Sequence, residues 1–208
     1  MTEDRRAELR KYENELKEAG FRYVAGVDEA GRGPLAGPVC AACVIFDLYK
    51  EFPDADDSKK LTPAKRDALF DQIITMSEGY GIAFSDNKRI DEINILQATY
   101  EAMQEAVLSA VKMSGINPDR ILVDHVHIPK IPFAQISITH GDALSVTIGS
   151  ASILAKVSRD RLMEEYAVKY PGYGFEKHKG YGTKDHYEAI RKIGISEIHR
   201  KTFLKTIH

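Results

Sequence analysis

The stretch YVAGVDEAGRGPLAGPVCAACVIF, residues 23–46, decides how the fold begins. An apolar, β-branched run ends in two adjacent carboxylates, Asp28 and Glu29, and a second apolar run follows a segment rich in glycine and proline. These patterns predict two buried strands, at 22–28 and 38–46, with a tight connection between them. The chain therefore brings two acids to the end of a strand. The glycines just after them leave the backbone N–H and C=O groups accessible.

The remaining sequence alternates helical and strand patterns. Apolar residues at helical spacing, together with capping residues, predict five helices, at 3–19, 62–77, 94–113, 145–169 and 183–193. Runs rich in β-branched and apolar residues predict three further strands, at 80–86, 120–124 and 133–138. Strands mixed with helices, starting with an antiparallel pair, favour a mixed α/β sheet over a parallel doubly wound one. With 208 residues, the chain is expected to form one domain.

The composition is that of an ordinary globular protein. Hydrophobic residues make up 43% of the chain and charged residues 29%. The longest apolar runs are less than half as long as a membrane-spanning helix. The N-terminal segment MTEDRRAELRKYENELKEAG is charged throughout and lacks the apolar region of a signal peptide. We therefore expect a cytoplasmic protein that does not bind membranes.

Charge is distributed unevenly along the chain. The formal net charge is −2, yet residues 156–208 contain 12 Lys or Arg against 7 Asp or Glu. This asymmetry is compatible with an acidic centre beside a basic flank that faces phosphates. A solvated helix face produces the same count, so the alternative stays open.

Cys40 and Cys43 are the only cysteines, and their spacing invites a redox or zinc interpretation. They lie inside an apolar run predicted to be a strand, where residues three apart point to opposite faces. No further cysteine or Cys/His pair completes a zinc site. The favoured interpretation is that both thiols are small core hydrophobes.

Two more acids occupy places comparable to the first pair. Asp124 ends the apolar strand RILVD, and Asp142 lies in the turn that leads into the long helix. Each acid alone is typical of a surface position at the end of an element. Gathered at one edge of a sheet, the carboxylates would repel one another. Divalent cations that prefer oxygen ligands, Mg²⁺ or Mn²⁺, would relieve that repulsion.

The glycines of GRGPLAG do not fit a dinucleotide-binding loop. They are spaced one residue too far apart, and Pro34 occupies the place where the helix should begin. The acids precede the glycines instead of following them by about 20 residues. The sequence therefore disfavours this class of cofactor site.

Seven motifs, in order along residues 21–203, resemble those of bacterial ribonuclease HII, the type 2 ribonuclease H. They are GVDEAGRGPLAGPV, DDSKKLT, IDEINILQAT, ILVD, GDALSVTIGSASILAKVSRDRLM, YGFEKHKGYGT and IHRKTF. The resemblance implies a ribonuclease H-like fold, with a mixed five-stranded sheet flanked by helices. It also implies a C-terminal helical extension, from about residue 170, that contacts the substrate within a single domain.

The resemblance further implies an endoribonuclease. The expected enzyme hydrolyses the RNA strand of RNA/DNA hybrids and cuts 5′ of ribonucleotides embedded in duplex DNA, leaving a 5′-phosphate and a 3′-hydroxyl. Catalysis is expected to use two divalent ions, Mg²⁺ or Mn²⁺. The biological role implied is removal of ribonucleotides and RNA primers from DNA. Its partners are then the hybrid and the ribonucleotide-containing duplex, and a monomer is expected.

The resemblance also assigns site residues. The family's four catalytic, metal-binding acids fall on Asp28, Glu29, Asp124 and Asp142. Its Gly-Arg-Gly motif falls on Gly31, Arg32 and Gly33, and its junction-sensing tyrosine on Tyr181. Glycine leaves backbone groups accessible to a ribose, and the 2′-hydroxyl is what distinguishes RNA from DNA. Backbone recognition of this kind would be independent of base sequence.

Several cations and one hydroxyl are candidates for holding phosphates. Four belong to the predicted substrate-binding set: Ser58, Lys59, Lys60 and Lys156. Arg159, on the same predicted helix as Lys156, is a further candidate. Ordinary solvated loop and helix charges are the alternative.

Two other functions remain open at this point. A DNA-only nuclease or resolvase of the same superfamily would keep the fold and the acids, but the Gly-Arg-Gly motif with Tyr181 favours ribonucleotide recognition. A non-catalytic hybrid-binding module is disfavoured because all four acids are present. The C-terminal FLKTIH leaves open whether a sliding clamp is bound.

Overall fold

The computed structural model describes residues 2–55 and 62–204. The first two strands, β1 (Tyr23–Ala30) and β2 (Val39–Asp47), pair antiparallel, with Asp28 opposite Ala42. Both are apolar and almost entirely buried, as their β-branched sequence predicts. The predicted strand pair is confirmed.

Three further strands complete a mixed sheet. They are β3 (Gly79–Ser85), β4 (Arg120–Asp124) and β5 (Gln135–Ile138). The strand order is β3-β2-β1-β4-β5, with β3 antiparallel to β2 and with β4 and β5 running parallel to β1. This is the mixed five-stranded sheet expected from the sequence, and β1 lies at its centre.

Seven α-helices surround the sheet within the described residues. They are α1 (Glu3–Leu9), α2 (Lys11–Glu18), α3 (Pro63–Met76), α4 (Asn87–Ser114), α5 (Val146–Lys169), α6 (Phe175–His178) and α7 (Lys184–Ile193). Helix α4 covers one face of the sheet, and α5, backed by α3, covers the other. Thr62 caps α3, because its hydroxyl accepts from the Lys65 amide in the first turn of that helix.

Two helix predictions differ from the structure, and one short helix was not predicted. The helix expected at 3–19 is broken at Arg10, where no glycine or proline announces the break. Helix α4 begins at Asn87 rather than 94, because Asp86 caps it and left-handed Asn94 (φ 69°) only interrupts it. The Asn94 side chain accepts hydrogen bonds from the Leu96 and Gln97 amides. This is the contact that an N-cap residue makes, so the sequence around Asn94 looks like the start of a helix. Helix α6 has four residues, too few to show a helical period.

Close packing between β1 and α5 sets the geometry of the site. A Cβ atom built on Gly26 would lie 2.3 Å from the carbonyl oxygen of Thr147, so only glycine allows this approach. Alternate residues of β1, namely Val24, Gly26 and Asp28, share the face that α5 covers. Asp28 therefore projects from a rigid central strand toward a rigid helix.

The two cysteines lie on opposite faces of β2, as predicted. Cys40 packs in the cluster under α5, and Cys43 packs in the cluster under α4. Both are free and fully buried, and burial raises the pKa of the Cys40 thiol to about 12. Both are therefore core residues with no reactive thiolate.

The C-terminal segment has a small core of its own. Tyr173, Phe175 and Ile198 pack with Met163 of α5 and with Leu35 from the loop after β1. This cluster joins the segment after α5 to the glycine-rich loop beside Asp28 and Glu29. Within the described residues, no helix is long and apolar enough to cross a membrane.

Candidate active site

The parallel pairing of β1 and β4 brings three acids to one edge of the sheet. Val27 lies opposite Val123, so the next residues, Asp28 and Asp124, are neighbours at the ends of adjacent strands. Asp28, Glu29 and Asp124 line one cleft of about 480 Å³. Their convergence follows from strand register alone, because carboxyl ends of parallel strands meet at the same edge.

Burial and mutual repulsion govern the charges of these acids. Asp28 is 5% exposed, and its pKa is raised well above the ordinary value, first by burial and then by the charges of Glu29 and Asp124. Burial also raises the pKa of Glu29, against the opposing effect of Arg32, whose guanidinium lies 3.2 Å from the Glu29 carboxylate. No cation pairs with Asp28 among the described residues.

The fourth predicted acid, Asp142, lies outside the cleft lining. It lies in a 3₁₀ turn, Gly141–Ala143, just before α5, and is 5% exposed. The Gly141 amide donates to Oδ1 of Asp124 over 2.6 Å, which ties the turn to the end of β4. The structure thus places three predicted acids in the cleft and the fourth on a turn bonded to one of them.

The donor set fits a divalent cation of the magnesium class. Buried carboxylates that repel one another are stabilised in their charged form by a bound cation. In residues 2–55 and 62–204, no three acid, histidine or cysteine side chains converge closely enough to hold an ion by themselves. Mg²⁺ commonly takes only one or two carboxylates and completes its shell with water and substrate phosphate. Asp28, Glu29, Asp124 and Asp142 remain the residues that would hold it.

The glycine-rich loop lines the same cleft. Gly31 has φ +91°, a conformation that other residues rarely adopt, and a Cβ there would lie 1.9 Å from Nε of Arg159. Both the backbone conformation and the close packing therefore require glycine. Arg32 and Gly33 are exposed and line the cleft. The backbone is therefore accessible at the predicted motif.

Tyr181 also lines the cleft, next to this loop, and is 44% exposed. Its ring lies 3.7 Å from the place where a Cβ on Gly33 would stand. Gly180 before it has φ +86°, and its carbonyl accepts from the Leu35 amide over 2.8 Å. The predicted loop and ring are thus close to the Gly-Arg-Gly motif.

The predicted phosphate contacts have mixed outcomes. Lys156 lines the cleft and pairs with Asp160 over 2.8 Å, while Ser58, Lys59 and Lys60 lie outside the described residues. Arg159 is 1% exposed and donates to the backbone carbonyls of Pro38, Ala36 and Lys179. Its donors are therefore committed to the loops rather than to a phosphate.

Sequence reasoning missed two side chains that support the site. Ser152, on α5, hydrogen-bonds Asp28 and lowers its pKa against the effect of burial. Arg200, in the IHRKTF motif, is fully buried and donates to the carbonyls of Gly31, Arg32 and Gly37. Both residues lie in motifs shared with the family, but membership of a motif does not reveal which groups a side chain contacts.

A chain of buried histidines fixes the loop that carries Tyr181. The Ser196 amide donates to Nδ1 of His199 over 2.8 Å, so neutral His199 carries its proton on Nε2. That proton is donated to Nε2 of His186, 3.1 Å away, and His186 donates from Nδ1 to the carbonyl of Tyr181 over 2.9 Å. His178 stacks on His186 with ring centres 4.5 Å apart. A second proton on His186 or His199 would place two N–H donors face to face, at the bond between the two rings or at the bond from the Ser196 amide.

Acidification is expected to destabilise the protein through this chain. Burial, with a smaller effect of His186, lowers the pKa of His199 to about 4. An unfolded histidine titrates near pH 6.5, so the unfolded state binds more protons between about pH 6.5 and 4. Stability is therefore lost as pH falls through that window, by up to about 1.4 kcal/mol per pH unit. Urea unfolding at pH 7.5, 6 and 5 measures the slope.

The matched variants are His199→Gln, which removes the buried titrating group, and His127→Gln, which replaces an exposed histidine outside the buried chain. His199→Gln should lower stability at pH 7.5 but flatten its decline below pH 6.5, while His127→Gln should follow the wild type. Equal slopes in all three proteins would contradict the assignment.

Comparison with known proteins identifies relatives of the whole chain. The family model described as ribonuclease HII matches residues 25–206. Ribonuclease HII of Clostridioides difficile (strain 630) is 51% identical over 205 residues, covering 99% of this chain and 79% of the relative. Ribonuclease HII of Caldicellulosiruptor bescii is 53% identical over 195 residues, covering 94% of this chain and 93% of the relative.

A solved structure shares the fold. The crystal structure of ribonuclease H2 from Pyrococcus horikoshii OT3 superposes with a TM-score of 0.71 at 30% identity. The match covers 86% of this chain and 93% of that one. The expected ribonuclease H-like architecture is confirmed.

Proposed function

The chain belongs to the ribonuclease HII family and is an endoribonuclease of the type 2 ribonuclease H class; from that premise we propose which residues carry the reaction. Asp28, Glu29, Asp124 and Asp142 are the catalytic acids and hold two divalent ions, Mg²⁺ or Mn²⁺. The observation that carries this proposal is the cleft in which buried Asp28 meets Glu29 and Asp124 without a cationic partner among the described residues.

The substrate is an RNA/DNA hybrid or a DNA duplex containing single ribonucleotides, cut on the 5′ side of the ribonucleotide. When bound, the ions supply the positive charge that activates the attacking water and stabilises the leaving 3′-oxygen. Asp28 and Asp124, fixed at the ends of adjacent strands, would hold the ions at a defined place beside the reacting phosphate. Ser152 donates to Asp28 and so favours its charged, ligating form. The products carry a 5′-phosphate and a 3′-hydroxyl.

The glycine-rich loop and Tyr181 supply recognition. The exposed backbone of Arg32 and Gly33 reads the 2′-hydroxyl, and the Tyr181 ring packs against the neighbouring sugar. Residues from about 170 onward form the extension that contacts the duplex, supported by their separate core around Phe175. Neither contact depends on a base.

The deciding assay uses one labelled duplex with a single embedded ribonucleotide and its all-DNA counterpart. Each is incubated with Mg²⁺, with Mn²⁺ or with EDTA. We expect one cut 5′ of the ribonucleotide with either ion, none with EDTA and none in the all-DNA duplex. Cleavage of the all-DNA duplex would favour the DNA-only nuclease, and binding without cleavage would favour a non-catalytic module.

Duplex binding is expected to depend on salt and hardly on base sequence. The exposed basic residues of 156–208, a set that excludes buried Arg159 and Arg200, face the phosphate backbone of the duplex. If about 4 to 6 phosphates are neutralised, log K should fall against log salt with a slope of about −4 to −5. Fluorescence anisotropy on several sequences at graded salt, with Ca²⁺ replacing Mg²⁺ to prevent turnover, measures this slope. A flat response, or a tenfold preference for one sequence, would contradict the proposal.

A further inference from the structure

Arg200 is a buried cation whose partners are three backbone carbonyls. Its side chain is 0% exposed. Nε donates to the carbonyl of Gly37 over 2.9 Å, Nη1 to that of Arg32 over 2.8 Å, and Nη2 to that of Gly31 over 2.6 Å. No carboxylate lies within ion-pair distance of it among the described residues. Two of the three bonds hold successive peptide groups of the Gly-Arg-Gly motif.

Such a cation is costly to bury. A buried charge without a counter-ion loses much of its hydration, and carbonyl dipoles replace it only in part. Burial, and then the charge of nearby Arg159, lower the pKa of Arg200 to about 9. An apolar side chain could fill the same volume without this cost, so the guanidinium is explained by what its fork of donors holds.

The fork determines where two amides point. In a trans peptide the C=O and the following N–H point in opposite directions, and no cis peptide occurs in the described chain. Because the carbonyls of Gly31 and Arg32 point inward to Arg200, the amides of Arg32 and Gly33 point away from it. Both residues are exposed and line the cleft. Neither amide has an acceptor among the described residues.

We propose that Arg200 is a positioning residue for ribonucleotide recognition: it holds the Gly31 and Arg32 carbonyls so that the Arg32 and Gly33 amides present two adjacent donors to the 2′-hydroxyl oxygen. This inference rests on the proposed function. Two N–H donors complement the lone pairs of a hydroxyl oxygen, and a deoxyribose offers no acceptor at that position. Arg200 thus sets specificity through the loop without touching the substrate.

Arg159 supplies a matched control. It is 1% exposed and donates to three carbonyls of the neighbouring loops, those of Pro38, Ala36 and Lys179. None of these belongs to Gly31 or Arg32. Arg→Lys at either position keeps a long basic side chain and loses the planar fork of donors. The two variants therefore carry similar structural damage and differ in which peptide groups are released.

The experiment measures Kd for a duplex with one ribonucleotide and for its all-DNA counterpart, with Ca²⁺ in place of Mg²⁺. Arg200→Lys should lower the ratio of the two affinities by about tenfold, as expected for two hydrogen bonds, while affinity for the all-DNA duplex changes less than about twofold. Arg159→Lys releases the carbonyls of Pro38, Ala36 and Lys179 but not those of Gly31 and Arg32, so it should lower the ratio clearly less than Arg200→Lys does. Circular dichroism and thermal melting establish that each variant is folded.

Two outcomes overturn this inference but leave the proposed function standing. The first is an unchanged affinity ratio in Arg200→Lys while the wild type discriminates between the duplexes. The second is an equal loss of affinity for both duplexes, which would mean that the amides bind phosphate. A wild type that neither discriminates nor cleaves refutes the proposed function itself. If Arg200→Lys does not fold, ¹⁵N amide spectra of the wild type decide. Arg32 and Gly33 should shift with the ribonucleotide duplex more than with the all-DNA duplex, and equal shifts contradict the inference.

Discussion

Asp28→Asn is expected to slow cleavage on the order of a thousandfold or more, because the reaction loses a carboxylate that holds the ions at the scissile phosphate. The same change should leave the metal-free protein as stable as the wild type or more stable. Asp28 is buried beside Glu29 and Asp124, and its pKa is raised by burial and by their charges. A neutral amide of nearly the same shape removes that repulsion.

Ion binding provides a second readout for the same variant. A ligand that binds only the folded state raises its stability in proportion to the logarithm of its concentration. Mg²⁺ should therefore raise the melting temperature of the wild type and raise that of Asp28→Asn much less. Because this shift needs no substrate, it separates loss of the ion from loss of the duplex.

The control is Glu105→Gln, which neutralises an exposed acid on α4, the helix on the far face of the sheet from α5. Its cleavage rate and its response to Mg²⁺ should match the wild type. Near-normal turnover in Asp28→Asn, or an unchanged Mg²⁺ response, would show that the four acids are not the metal site.

The strand-borne part of the site was predictable because local pattern and register determine it. The alternating apolar runs around Asp28 and before Asp124 predict two strands, and parallel pairing puts their carboxyl ends together. The opposite faces of Cys40 and Cys43 followed from the same two-residue period. In each case, the residues adjacent in sequence are enough to predict the strand and the face on which a side chain lies.

The supporting contacts were not predictable because their partners are distant in sequence. Arg200 holds carbonyls of residues 31, 32 and 37, more than 160 positions away, and backbone carbonyls have no sequence signature. Glu13 shows the same limit. It is 1% exposed, lies in a segment that reads as a polar surface helix, and accepts from Ser145 and Thr147 at the start of α5.

Tyr181→Ala is expected to slow cleavage of a single-ribonucleotide duplex by about tenfold to a hundredfold, because it removes a ring that stacks on the substrate for about 1–3 kcal/mol. Tyr181→Phe keeps the ring and loses one hydroxyl hydrogen bond, about 0.5–1.5 kcal/mol, so a threefold to tenfold reduction is expected. The order wild type, Phe, Ala is the signature of a stacking role.

The structure gives the reason that the ring can be removed without unfolding the protein. Tyr181 is 44% exposed, and the bonds that hold its loop are made by backbone. Its carbonyl accepts from His186 and from the Thr183 amide, and its own amide donates to the His178 carbonyl. Alanine at this position keeps all three bonds, so both variants should melt within a few degrees of the wild type.

Tyr49 provides the matched control, since it is 59% exposed and lies just beyond the end of β2, outside the cleft lining. Tyr49→Ala removes a ring of the same size and should cleave at the wild-type rate. The four proteins are compared on one duplex by single-turnover kinetics, so that product release does not mask the chemical step. If Tyr181→Ala cleaves like Tyr49→Ala, or unfolds, the ring does not sense the ribonucleotide junction, and recognition would rest on the Arg32 and Gly33 amides alone.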